Sequence, residues 1–543
     1  MRFGADAAAR KRSLLARLAH TRLRSAHAVR RLHEALCFMH AYPDDAALLT
    51  RVRAMLAAFA QRADLRVHRG ALAGSGIAGT VVRFRFFAGQ AQWLAQRWPR
   101  QLRLDRSDID AQARVARALP PLLTHTEAVA LRELDLAGYD ALDRLRSRDE
   151  SDAVFLLRRI AAMPGDGFTR EAFSDAVDAS YLLEPGRDTP SRTAARLRGA
   201  PLAWRREPLA RERPDLRAEI ARAPRALRRL SLADGQALVE LARGAMALRE
   251  RSLEAFSFAE ARDAWLVDDG DGLAFGFAGV VAARRHAIAA TYGSLTLRNG
   301  VPIGYGQADL VGASAALSFN TFETFRGAEA AYTFARWLAA LRRLLGARSF
   351  TLEPYQLGHD NDEAIESGAW WFYAKLGFAP RDAATLKLMR DERARSQRRA
   401  SHRTPPATLR RLAERHLFFE AEPSRPRPVI ALPALGLQVG AALSARCGAD
   451  RERAVDELDA EMAARCAVTS WRDWSPAQRE AWRRLAPVLA LLDLRGWRAD
   501  ERRALPQLAR VKGGRSERDY LACYHAHPRL DAALLQWHRA RGR

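Results

Sequence analysis

Leu317-Ser-Phe-Asn-Thr-Phe322, Glu323-Thr-Phe-Arg-Gly327, Ala328 to Leu345, Ser349-Phe-Thr-Leu-Glu353 and Asp360-Asn-Asp-Glu-Ala-Ile365 follow one another without a gap longer than a turn or short loop. Trp370-Trp-Phe-Tyr-Ala-Lys-Leu-Gly-Phe378 then closes the stretch before Pro380. The first run alternates as a strand, and the second carries the signals of a turn. The third has apolar residues at helical spacing, the fourth is a second short strand, and an aromatic helix ends the unit. Strand, turn, helix, strand, helix predicts parallel strands with a cleft at their carboxyl ends.

Working outward, short strand-like runs precede this unit: Ala264-Trp-Leu-Val267, Gly272 to Phe277, Ala287 to Leu297 and Ile303 to Tyr305. Asn299-Gly300 between the last two is a strong hairpin signal, because both residues tolerate positive φ. Antiparallel strands feeding a parallel pair predict a mixed sheet of α+β class, with a wedge where neighbouring strands part. Large, mainly helical regions flank it on both sides. The expected domains are a helical region over 1–65, a mainly helical region with a short β segment over 66–245, the α/β domain over 246–390, a charged and Pro-rich linker over 391–430, and a helical region over 431–543.

Within the flanks, Leu14, Leu15, Leu18, Leu23, Val29, Leu32 and Leu36 recur at helical spacing. Gly74-Ser-Gly-Ile-Ala-Gly79 matches a dinucleotide fingerprint in letters only. It leads into the alternating run Thr80 to Phe87 and not into a helix, so it reads as a Gly-rich loop before a strand. Ser475-Pro-Ala-Gln478 marks a helix start. Cys523 and His527 share a helical face with no further ligand, and the four cysteines make no CxxC pair, so neither a metal site nor a disulfide framework is expected.

The chain has 543 residues, 48% of them hydrophobic, and a formal net charge of +25. It can bury a sizeable core, and no apolar run reaches the length of a membrane span. With no signal-peptide core at the N-terminus, a cytoplasmic protein without membrane contact is expected. The basic residues are almost all Arg, and they are scattered through the chain and not gathered into a tract. That distribution argues against a specific nucleic-acid partner, although non-specific attraction to polyanions remains.

Three features of the central stretch exceed what packing needs. Arg326-Gly327 stands where a strand passes into a helix, an arrangement suited to a phosphate or pyrophosphate. Asp360 and Glu363 read as a capping box, with Asn361 at the helix start. Tyr373 carries a phenol that can donate a proton to a leaving group.

Taken together, Phe325-Arg-Gly-Ala-Glu-Ala-Ala331, Asn361-Asp-Glu-Ala-Ile365 and Phe372-Tyr-Ala-Lys-Leu-Gly-Phe378 resemble the Gcn5-related N-acetyltransferase (GNAT) family over roughly residues 250–390. The resemblance implies an N-acyltransferase that takes acetyl-CoA or another acyl-CoA as co-substrate, needs no metal, and acts on a small-molecule or protein amine. It implies pyrophosphate binding on Arg326, Gly327, Ala328, Glu329, Ala330 and Ala331, with Asn361 near the adenosine. It also implies Tyr373 as the proton donor to the thiolate and a carboxylate, here Glu323, as the base. Two positions depart from the family pattern. Glu329 stands where the middle glycine of the loop belongs, and the inserted Glu366 to Trp371 widens the spacing between Asn361 and Tyr373. The alternatives are a non-catalytic scaffold of the same fold whose helical flanks bind a protein partner, and a basic nucleic-acid-associated protein.

Overall fold

The computed structural model describes residues 2–210, 212–327, 329–422 and 427–541. It is a mixed α+β structure organised on one eight-stranded sheet. The strands are β1 (Ala226–Arg229), β2 (Ala259–Gly270), β3 (Leu273–Val280), β4 (Ala290–Arg298), β5 (Val301–Val311), β6 (Ser314–Thr321), β7 (Ser349–Leu352) and β8 (Leu417–Glu420). They lie in the order β8-β7-β6-β5-β4-β3-β2-β1. Every pair is antiparallel except β6 with β7. Asn299 (φ 52°) and Gly300 (φ 79°) form the two-residue turn between β4 and β5 that their identities predict.

The two edge strands come from outside the residues 246–390 expected for the α/β domain. β1 comes from the region read as mainly helical, and β8 from the stretch 391–430 read as a linker. That stretch also holds the end of the helix Ala383–Arg398 and the helix Pro406–Ala413. Part of its Pro-rich loop, residues 423–426, lies outside the described residues. The Gly74–Gly79 loop does lead into a strand, limited to Val82–Phe84, which joins Leu102–Leu104 and Tyr181–Leu183 in a separate three-stranded sheet.

Strand alternation sends Val267, Phe275, Phe277, Tyr292, Leu310 and Phe319 to one face of the large sheet. There they meet helix α2 (Ala330–Leu345) through Phe334, Trp337 and Leu341, and the C-terminal helices around Trp482 and Tyr520 extend the same core. The residues between them, Leu266, Ala274, Leu295 and Leu297, pack on the opposite face against Leu238 and Ala242 of helix α1 (Leu232–Ala247). Burying both faces accounts for the near-continuous apolar character of β3, whereas β4, buried almost throughout, carries Ser294, Thr296 and Arg298 inside.

Polar contacts fix the C-terminal helices to this sheet. Asp263 on β2 accepts hydrogen bonds from the Ser516 hydroxyl (2.7 Å), the Glu517 amide (2.9 Å), the Tyr292 hydroxyl (2.8 Å) and the Trp265 indole (3.1 Å). Arg285 donates to the carbonyls of Val280 (3.0 Å), Lys512 (2.6 Å) and Gly514 (2.7 Å). No described helix is long and apolar enough to cross a membrane.

Candidate active site at the parting of β6 and β7

The parallel pair holds only from Ser314 opposite Ser349 to Leu317 opposite Leu352. Beyond that point β6 runs on to Thr321, still paired with β5, while β7 stops at Glu353-Pro354. Proline has no amide to continue the ladder, and here it starts a short helix, Pro354–Leu357. One side of the last turn of β6 therefore loses its neighbour, and a wedge opens.

Helices α3 (Asp362–Ser367) and α4 (Ala369–Lys375) cross this wedge. The inserted segment does not extend a helix. It breaks one in two at Gly368 (φ 68°), a left-handed position that ends α3 and starts α4. The break turns Tyr373 inward, where it is buried among Phe334, Phe372 and Phe378. Its hydroxyl makes a long hydrogen bond, 3.4 Å, to the Phe319 carbonyl on the unpaired part of β6. Burial raises its pKa, so the phenol stays protonated.

A pocket of about 270 Å³ fills the wedge. Phe319, Asn320 and Thr321 form one wall, Arg326, Gly327 and Ala330 the second, and Asn361, Ala364 and Tyr373 a third. The structure thus brings Tyr373, Arg326, Gly327, Ala330 and Asn361 to one cavity. Ala331 follows in the first turn of α2. Ala328 lies outside the described residues.

Two expected residues are placed elsewhere. The Glu329 carboxylate turns away from the pocket into the protein, where Arg205 (2.6 Å) and Arg298 (2.9 Å) bind it and the Ala210 amide donates to it (3.3 Å). Only its backbone stays at the turn, where its carbonyl accepts from the Thr333 amide (2.8 Å). Glu323 is exposed, outside the wedge, and paired with Arg30 (2.9 Å).

The capping assignment also shifts by one residue. Asn361, not Asp360, caps α3 by accepting from the Ala364 amide (3.2 Å), and it donates to the Tyr355 carbonyl (3.0 Å). Asp360 sits in a left-handed turn (φ 53°). Glu363 is thereby released from capping and binds two guanidiniums, Arg326 (2.6 Å) and Arg251 (2.6 Å). The Arg326 hydrogen bond and then Arg251 hold the Glu363 carboxyl below its ordinary range.

A second cavity, of about 360 Å³, shares Asn320, Arg326 and Glu363 with the first. It is lined by Tyr305, Phe322 and five guanidiniums, those of Arg30, Arg192, Arg249, Arg251 and Arg326. Sequence reasoning missed this cavity because arginine is common everywhere in the chain. Its one legible trace is the glycine spacing at 74 and 76. A Cβ on Gly74 would stand 2.2 Å from a Glu250 carboxylate oxygen, and one on Gly76 would stand 2.5 Å from the Leu248 carbonyl and 2.8 Å from the Arg192 side chain. The Gly-rich loop admits the wall of this cavity. Glu250 itself adopts φ 53°, uncommon outside glycine, and burial raises its pKa.

Among the described residues no cluster of three or more His, Cys, Asp or Glu is placed to hold a metal ion. His527 is engaged at a helix start, bonded to the Glu501 carbonyl (2.9 Å) and accepting from the amides of Arg529 (3.3 Å) and Leu530 (3.1 Å). No family model, curated protein or solved structure matches the chain.

Proposed function

We propose that this chain is an acyl-CoA-dependent N-acyltransferase built on a GNAT-like sheet. The observation that carries the reading is the parting of β6 and β7 above a pocket lined both by Tyr373 and by the start of α2. On this reading the pyrophosphate lies against the amides of Gly327, Ala330 and Ala331, at the positive end of a 16-residue helix. The thioester enters the wedge beside Ser318 to Thr321, the part of β6 that has no strand neighbour on that side. The amine approaches from the arginine-lined cavity. Its nitrogen attacks the acyl carbonyl carbon, the C–N bond forms, and the C–S bond breaks to release the CoA thiolate.

Tyr373 suits the role of donor because it stays neutral. Its raised pKa makes full proton transfer to a thiolate of pKa about 8.5 uphill, so its contribution is a hydrogen bond to the departing sulfur. For the base, of the two carboxylates that line the second cavity, Glu250 suits the role better than Glu323. Burial raises its pKa, and among the described residues no guanidinium pairs with it, whereas Arg30 holds Glu323. Titration calorimetry with acetyl-CoA and desulfo-CoA tests the reading, with micromolar binding expected for both. Absence of heat up to millimolar ligand removes it.

One observation favours a non-catalytic scaffold: Arg326 is already committed to Glu363. Glu363→Gln separates the two readings. Freeing Arg326 strengthens acetyl-CoA binding if the pocket takes a pyrophosphate, and changes nothing if it does not.

A further inference from the structure

The charged wall of the second cavity does not balance. Its five guanidiniums meet three carboxylates of the wall, Glu250, Glu323 and Glu363, and a fourth, Glu34, that reaches Arg192 from outside it. Glu34 holds Arg192 (2.8 Å), Glu323 holds Arg30, and Glu363 holds both Arg251 and Arg326. Arg249, like Glu250, is left without an ion pair among the described residues. Its guanidinium carbon stands over the Phe322 ring, 3.6 Å from the centroid, and among the described residues the group makes a single hydrogen bond, from Nη1 to the Ala245 carbonyl (2.8 Å). Among the described residues no carboxylate pairs with it. The neighbouring Arg192 charge and burial both work against its protonated form, bringing its pKa down to about 9, with burial the larger cause.

Five guanidiniums against four carboxylates leave one positive charge. A stacked arginine fork with free donors, held beside a second arginine and open to a cavity, is a geometry that recognises a planar anion. We infer that Arg249 binds the carboxylate of a ligand in this cavity and that, as the cavity meets the acyl pocket at Asn320, Arg326 and Glu363, the acyl acceptor is an amine carrying a carboxylate group. The excess of a single charge selects a carboxylate over a phosphate dianion. Assignment of this ligand as the acceptor rests on the acyl-transfer reading; the anion site does not.

The test uses the full chain without CoA. Calorimetric titrations with the N-acetyl derivatives of glycine, alanine and phenylalanine are compared with titrations of their uncharged N-methylamides. At least one acid is expected to bind ten-fold or more tightly than its amide. That preference disappears in Arg249→Met and is partly kept in Arg249→Lys, while the affinity for acetyl-CoA stays within two-fold in both. Equal binding of acid and amide, no binding of any acid up to 20 mM, or an unchanged preference in Arg249→Met overturns the site. The wild-type comparison decides even if a variant fails to fold. Inorganic phosphate that displaces the acids at equal concentration overturns the carboxylate assignment. Failure of acetyl-CoA to bind, with the acid preference intact, removes acyl transfer and leaves the anion site standing.

Discussion

Glu329 shows how one side chain can look disqualifying in a sequence and be harmless in a fold. Beside a pyrophosphate its charge would repel. Here it is 5% exposed and neutralises Arg205 and Arg298 on the far side of the turn. Removing one partner of a buried pair strands the other charges, at a cost of about 3–5 kcal/mol. Glu329→Gly is therefore expected to lower stability by that order and to leave acetyl-CoA affinity unchanged. Tighter CoA binding in that variant would mean that the carboxylate reaches the pocket after all. Tyr373→Phe keeps the ring packing and removes only the hydroxyl. Turnover should fall by about 10²-fold with CoA affinity intact, the signature of a hydrogen bond made to the leaving atom. Equal turnover would leave the phenol a core residue.

At the scale of elements, the strand–turn–helix–strand–helix order and the Asn299-Gly300 turn were legible because each rests on local chemistry: alternation, helical spacing and two residues that accept positive φ. The edge strands were not. Ala226-Leu-Arg-Arg229 and Leu417-Phe-Phe-Glu420 have four residues each, too few to separate a strand from the helical texture around them, and tertiary pairing decides them. The inserted segment was legible as an insertion, but its outcome depends on Gly368 alone. In the site, the residues around Arg326 and Tyr373 could be found from spacing, whereas Arg249 could not be told from other arginines without the fold. Two glycines allow a matched test. Gly368 and Gly74 both have positive φ, so alanine costs each about 1–2 kcal/mol, but only at Gly74 does the new Cβ meet Glu250. Both variants should lose stability by thermal melt, and only Gly74→Ala should also raise the acceptor KM. A raised KM in Gly368→Ala alone would contradict the cavity wall assigned to Glu250.

The whole molecule carries a pH dependence that can be read from two buried imidazoles. Burial is the first cause in each case, lowering His33 to about 3 and His40 to about 4. The unfolded chain protonates these histidines near pH 6.5, and the folded chain refuses the protons, so stability is complete above that pH and is lost as pH falls towards 4. With both acting together, the slope approaches about 2.7 kcal/mol per pH unit, twice the value for one proton. Denaturant midpoints measured from pH 8 to pH 4 should stay level at first and then drop steeply. A flat profile across that window would mean that the imidazoles are hydrated in the fold. The same scale governs the Asp263 junction. Asp263→Ala should loosen the C-terminal helices from the sheet, seen as faster amide exchange over 476–541 with β3 to β5 still protected.

The far position of β8 in the chain also has a consequence for synthesis. β7 is complete at Leu352, but the strand that covers its free edge ends at Glu420, 68 residues later. At translation rates of about 5–20 residues per second, the nascent sheet presents an unpaired apolar edge for about 3 to 14 s. Chains that end between these two points should be captured by chaperones or aggregate, and chains that extend past Glu420 and clear the ribosome should not.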